Sequence, residues 1–125
     1  MSYLVNAARR LFSSSTSPEN AALAKETVES MIQSPVAVFS KSYCPYCSEA
    51  KHILKKRVEA PRLKVIELDH EAHGNAVQAY LAERAGVSKV TVPQIFINGK
   101  NIGGCSDLKK IESAGKLDDL LKAAQ

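Results

Sequence analysis

Apolar residues fall along this chain in blocks whose period switches between that of a helix and that of a strand. Ser17-Pro18 reads as an N-cap followed by proline at the first helical position. Ala24, Val28, Met31 and Ile32 then make one apolar stripe, which Ser34-Pro35 ends. Val36 to Ser40 is short and nearly all apolar, the pattern of a strand buried on both faces. A second helix is predicted after Tyr46 to about Arg57, with Ala50, Ile53 and Leu54 inward and Lys51, Lys55 and Lys56 outward. Pro61 marks a turn, Leu63 to Leu68 alternates as a second strand, and Asp69 to Asn75 is a polar connection. From about Asn75, Val77, Tyr80, Leu81 and Ala85 recur at helical spacing as far as Gly86.

The rest of the pattern is a hairpin and two helices. Gln94 to Ile97 and Lys100 to Gly103 flank Asn98-Gly99, a pair that tolerates the positive φ of a type I′ turn. Gly103-Gly104 allows a sharp turn, Ser106 is the expected N-cap of a helix through Leu108, Ile111 and Glu112, and Leu117, Leu120 and Leu121 form a last amphipathic segment. The first two strands, joined through a helix, should be parallel by a right-handed crossover. The expected fold is α/β: a four-stranded mixed sheet, a parallel pair plus an antiparallel hairpin, flanked by about five helices.

Composition adds limits. The 125 residues suit one domain, and the 45% apolar and 24% charged fractions are those of an ordinary globular protein. No apolar run approaches the roughly 18 residues of a membrane span, so no membrane partner is expected. The formal charge is +4, but Arg9 and Arg10 contribute two of the 17 bases, leaving 15 against 13 acids in residues 19–125, a balance that does not suggest nucleic-acid binding. Residues 1–17 hold Arg9-Arg10, a run of Ser and Thr and no acid, and resemble a mitochondrial presequence; the other reading is an N-terminal extension outside the fold, with residues 18–125 as the domain. The expected location is cytoplasmic, or the mitochondrial matrix if that segment acts as a presequence. Three cysteines, an odd number, argue for a reducing compartment and for catalytic or metal roles rather than a disulfide framework.

The chemistry concentrates in Lys41-Ser42-Tyr43-Cys44-Pro45-Tyr46-Cys47, where the first strand hands over to a helix. A cysteine in the first turn of a helix lies beside unpaired N–H groups and the positive end of the dipole. Free cysteine titrates at about 8.5, and helix N-termini, nearby lysines such as Lys41 and Cys-X-X-Cys spacing bring it to roughly 3.5–7.5. At i, i+3 the two sulfurs can close a reversible disulfide. A zinc site would need two further ligands, and Cys105, His52, His70 and His73 show no ligand spacing, so no metal is expected. His52 reads as solvated, and Lys55-Lys56-Arg57 as a solvated face.

Cys44-Pro45-Tyr46-Cys47, Thr91-Val92-Pro93 and Gly103-Gly104-Cys105-Ser106-Asp107, in that order, resemble the three motifs of a dithiol glutaredoxin of the thioredoxin-fold superfamily, over about residues 19–125. The resemblance implies a monomeric thiol-disulfide oxidoreductase with glutathione as reducing cosubstrate and glutathionylated or disulfide-containing proteins as partners. It makes Cys44 the nucleophile and Cys47 the resolving thiol, and Pro93 a cis-proline that exposes the backbone of Val92 to glutathione like an added strand. It assigns Lys41 and Gln78 to the glycine carboxylate. The N–H groups of Cys105 and Ser106, beside Gly104, take the γ-glutamyl carboxylate and Asp107 its ammonium, while Tyr46 and Thr91 line the groove.

One departure is the four residues Val87 to Val90, where the family pattern usually has two, with Lys89 a candidate carboxylate contact. Cys105 reads as a buried small residue, the alternative being a regulatory thiol. A second class of function is a binding module in which two chains and two glutathiones hold a [2Fe–2S] cluster, which Pro45 and the second cysteine disfavour. Plain thioredoxin is disfavoured by Gly103 to Asp107 and by Pro45-Tyr46.

Overall fold

The computed structural model describes residues 17–124, so the presequence or extension reading of residues 1–16 lies outside the described residues. In chain order the elements are α1 (Pro18–Met31), β1 (Val36–Ser40), α2 (Pro45–Lys55), β2 (Leu63–Glu67), a 3₁₀ turn (Leu68–His70), α3 (Gly74–Ala85), β3 (Gln94–Ile97), β4 (Lys100–Gly103), α4 (Cys105–Ser113) and α5 (Leu117–Ala123). The sheet order is β2-β1-β3-β4. β1 is parallel to β2, antiparallel to β3, and β3 is antiparallel to β4, which is the predicted mixed sheet of the thioredoxin fold. Among the described residues no helix is long and apolar enough to cross a membrane.

The all-apolar reading of β1 has a direct structural consequence, because alternate residues enter opposite cores. Val36 and Val38 join Ile95 and Ile97 beneath α2, α4 and α5, through Ala50, Leu54, Leu108, Leu117 and Leu121. Ala37 and Phe39 join Phe96 beneath α1 and α3, through Ala24, Val28, Val77 and Leu81. Phe39 and Phe96 meet edge to face, centroids 5.7 Å apart and planes at 78°. Burying each ring is worth about 1.5–3 kcal/mol.

Local signals set the element ends. The Ser17 side chain accepts the N–H of Asn20 at 3.1 Å, capping α1. Gly86 ends α3 in the left-handed conformation at φ 74°. Asn98 (φ 54°) and Gly99 (φ 77°) make the hairpin turn.

Two predictions are corrected. The N-cap of α4 is Gly104, not Ser106, which lies inside the first turn; the Asp107 carboxylate accepts the Gly104 N–H at 2.9 Å and fixes the helix start two residues earlier than a Ser106 cap would. Lys51 does not point to solvent but crosses to β2, where it pairs with Glu67 at 2.6 Å. The Lys55-Lys56-Arg57 face is exposed, as expected; α2 ends at Lys55, and the exposed Arg57 also pairs with Glu112 at 3.0 Å and Asp118 at 3.2 Å, tying the end of α2 to α4 and α5.

The topology gathers distant segments at one end of the sheet. Because β3 runs antiparallel to β1, the chain entering β3 stands beside the chain leaving β1, with Phe39 opposite Gln94. β4 reverses again, so its exit at Gly103, opposite Ile95, is at the same end. The cysteine motif, Thr91-Val92-Pro93 and Gly103 to Asp107 therefore converge although some 60 residues separate the first from the last.

Candidate active site

Cys44 is the N-cap of α2. Its backbone is extended (φ −89°, ψ 120°), and its sulfur accepts the N–H of Cys47 at 3.3 Å, the place a serine or aspartate oxygen takes in other helices. Pro45 follows at the first helical position. The unpaired N–H groups and dipole of α2 stabilise negative charge on that sulfur. Cys44 is half-buried, and its thiol points towards the carbonyl oxygen of Val92 at 3.9 Å.

Cys47 is different. It is fully buried, and its sulfur accepts the backbone N–H of Lys41 at 3.5 Å. Burial pushes its thiol above the ordinary cysteine value, against a smaller opposing pull from the Lys41 N–H. Two thiols three residues apart thus have unequal surroundings, one half-buried beside Val92 and one enclosed in the core. Both are free, as is Cys105.

The groove is a cavity of about 440 Å³ lined by Tyr46, Thr91, Val92, Pro93, Gln94, Gly103, Gly104, Cys105, Ser106 and Asp107. Eight of those ten are the predicted groove residues, brought together from three segments. The Val92-Pro93 peptide is cis, as expected. The N–H groups of Cys105 and Ser106, at the start of α4, have no intrahelical acceptor and suit an anion. Tyr46 is largely exposed at 67%, as is Tyr43 at 71%, so the motif carries an aromatic rim.

Other predicted residues stand elsewhere. Lys41 is half-buried at the entrance to the motif and is not among the lining residues. Gln78 is also outside the lining; its amide donates to the carbonyl of Val90 at 2.9 Å and braces the Val87 to Val90 loop. Lys89 on that loop is exposed. Cys105 is buried, and its thiol faces Glu49 at 3.6 Å, itself paired with Lys109 at 2.8 Å. Burial, then the Glu49 charge, raises the Cys105 thiol above its ordinary value. His52 is exposed. Among the described residues no group of three or more His, Cys, Asp or Glu is placed to hold a metal ion.

Two contributors were not predicted. Gln94 donates to the carbonyl of Thr91 at 2.8 Å and accepts from Asn101 at 3.0 Å, locking the segment that precedes β3. Its signal was a polar residue heading an otherwise apolar strand. Asp69 accepts the backbone N–H of Ser42 at 2.9 Å and also the Ser42 hydroxyl, holding the loop before Cys44. Its signal was an acid directly after a strand parallel to β1.

The comparisons agree with this geometry. The glutaredoxin family model matches residues 36–102. Glutaredoxin-C6 of Oryza sativa subsp. japonica is 48% identical over 103 residues, 82% of this chain and 86% of the relative. Glutaredoxin-1 of Rhizophagus irregularis is 45% identical over 100 residues, 79% of this chain and 95% of the relative. Among solved structures, a buckwheat glutaredoxin–glutathione complex superposes with a TM-score of 0.78 at 36% identity, covering 87% of this chain and 96% of that one. A wheat glutaredoxin gives 0.71 at 45% identity, covering 88% and 95%. With the family model spanning more than half of the chain, and relatives matched over most of their length, the chain belongs to the glutaredoxin family of glutathione-dependent thiol oxidoreductases.

Proposed function

We propose that this glutaredoxin reduces mixed disulfides between glutathione and proteins or small thiols, and disulfides of proteins and low-molecular-weight compounds, with Cys44 as nucleophile and Cys47 as resolving thiol. The observation that carries this reading is the inequality of the thiols: only Cys44 combines partial exposure, an N–H bond at a helix start and an opening beside the groove. The buckwheat relative described as a glutathione complex supports glutathione as the groove's occupant.

In the first step the Cys44 thiolate attacks the glutathione sulfur of the mixed disulfide. A Cys44–glutathione disulfide forms, and the target leaves as its thiolate. A second glutathione thiolate then attacks the glutathione sulfur on Cys44, releasing oxidised glutathione and restoring the Cys44 thiolate. With a protein disulfide, the Cys44 thiolate attacks one target sulfur, breaking the target's S–S bond and releasing its other sulfur as a thiolate. Cys47, its proton removed, displaces the target and leaves a Cys44–Cys47 disulfide that two glutathiones reduce in turn.

The groove supplies orientation. The Val92 backbone can pair with the cysteinyl part of glutathione as an added strand. The N–H groups of Cys105 and Ser106 take the γ-glutamyl carboxylate, and Asp107, which already accepts from Gly104, has a second oxygen for the ammonium. Lys41 and Gln78 are the candidates for the glycine carboxylate, Gln78 with the second N–H of the amide that holds the Val90 carbonyl.

The test is to trap the adduct. Cys47→Ser incubated with oxidised glutathione should carry one glutathione, and peptide mapping should place it on Cys44. An adduct on Cys105 instead, or none, contradicts the assignment.

A further inference from the structure

Nothing in the reaction just described uses Asp69, yet from the turn after β2 it grips the loop presenting Cys44 at Ser42. The loop leaves the buried end of β1 at Ser40 and reaches Cys44 within four residues. Two of its hydrogen bonds are internal to the motif: the Cys44 N–H donates to the Lys41 carbonyl at 3.1 Å, and the Lys41 N–H donates to the Cys47 sulfur at 3.5 Å. The bond at Lys41 depends on Cys47, whose sulfur changes partner whenever Cys44 and Cys47 join. The link at Ser42 does not. There the Asp69 carboxylate, from the 3₁₀ turn after β2, accepts both the backbone N–H at 2.9 Å and the hydroxyl of the same residue.

The anchor is itself held. Leu68, just before it, is buried in the core beneath α1 and α3. Gly74, at the start of α3, lies so close that a Cβ there would come within 1.9 Å of the Leu68 carbonyl oxygen. His70 Nε2 is 3.6 Å from the same carboxylate. The two bonds from Ser42 keep the Asp69 carboxyl below the usual range for an aspartate, with the hydroxyl the larger influence. An ionised acceptor makes the stronger kind of hydrogen bond.

We propose that Asp69 is a positioning residue for the Cys44 nucleophile, clamping Ser42 so that the Lys41 to Cys44 turn holds Cys44 beside the Val92 carbonyl whichever partner the Cys47 sulfur has. The proposal rests on Cys44 being the nucleophile. Misplacing a reacting group by about 1 Å can cost up to roughly 100-fold in rate, so a partial loosening of an exposed clamp should cost about tenfold.

The experiment compares Asp69→Ala, Asp69→Asn, Ser42→Ala and Cys44→Ser in the full chain, reading kcat/KM for a glutathionylated peptide at a temperature where circular dichroism shows each folded. In parallel, iodoacetamide alkylation of Cys44 is timed in a Cys47→Ser, Cys105→Ser background. Asp69→Ala should lose about tenfold in kcat/KM and slow Cys44 alkylation, and Asn, which keeps an acceptor for the Ser42 N–H, should return activity to within about threefold of the parent. Ser42→Ala, which removes one of the two bonds and leaves the 3₁₀ turn untouched, should lose about threefold, and it decides the matter if Asp69→Ala does not fold. Full activity of both alanine variants, or losses in Asp69→Ala and Asp69→Asn that merely follow the folded fraction while alkylation stays at the parent rate, would overturn the clamp. Activity surviving in Cys44→Ser would instead overturn the nucleophile on which it rests.

Discussion

The sulfur of Cys44 lies 3.9 Å from the carbonyl oxygen of Val92, 48 residues further along the chain. That contact joins the end of β1 to the entry of β3, and so joins the reacting atom to the strand segment against which a tripeptide can lie. It exists because β1 and β3 are antiparallel neighbours, which puts the end of one next to the beginning of the other.

Thiol selectivity follows from the same layout. Cys47 and Cys105 are both buried, and burial holds both thiols above the ordinary cysteine value, so at neutral pH their thiolate fractions fall below that of an ordinary cysteine. Brief treatment of the reduced protein with iodoacetamide near pH 7, followed by peptide mapping, should label Cys44 and leave the other two unlabelled. Raising the pH past 9 should bring in Cys105 and Cys47 last. Labelling of Cys47 as fast as Cys44 at pH 7 would show that its burial does not govern its reactivity.

Gly74 and Gly86 should respond very differently to alanine. At Gly74 the new Cβ would sit 1.9 Å from the Leu68 carbonyl oxygen, a backbone atom that cannot swing aside. Moving α3 away from the turn should cost about 3 kcal/mol, the upper part of the range for overpacking. At Gly86 nothing stands within 4 Å, and the only cost is the left-handed conformation at φ 74°, about 1–2 kcal/mol. Urea unfolding midpoints of the two variants measure the difference, and equal losses would contradict it.

Asp107 serves both stability and the groove. Its carboxylate accepts the Gly104 N–H at the start of α4, so Asp107→Ala should lower stability by about 0.5–1 kcal/mol. It should also raise KM for glutathione with a smaller effect on kcat, since the lost contact is made in ground and transition states alike. Asp107→Asn keeps the acceptor, so it should recover the stability while the KM stays raised. Steady-state kinetics beside urea titrations separate the two effects.

Most of the fold was legible because the hydrophobic period changes cleanly at each boundary. Val36 to Phe39 reads as a doubly buried strand, and Asn98-Gly99 as a type I′ hairpin, from residue types alone. The convergence of Cys44, Pro93 and Asp107 could be anticipated only through the family motifs, because no local pattern states that β3 lies next to β1. What escaped was side-chain reach. Lys51 is polar at an outward-looking helical position, yet its stem spans to Glu67 on β2. Gln78 is drawn to Val90 by the loop carbonyl that the extra residues place above it. The Ser106 cap was misplaced because α4 already starts at Gly104, whose N–H is taken by Asp107 from inside the first turn. The roles of Asp69 and Gln94 depend on partners 27 and three residues away, and no spacing rule connects a carboxylate to a loop N–H across two strands.

The division of labour between Cys44 and Cys47 is the centre of the account, and paired kinetics test it most directly. In a glutathione-coupled assay, with oxidised glutathione followed through its reductase, Cys44→Ser should fall to background on both a glutathionylated peptide and a protein disulfide. Cys47→Ser should keep or exceed the parent rate on the glutathionylated peptide, since the Cys44–Cys47 side disulfide can no longer form, and should be severely slowed on the protein disulfide. Substantial activity of Cys44→Ser on the glutathionylated peptide would contradict the account.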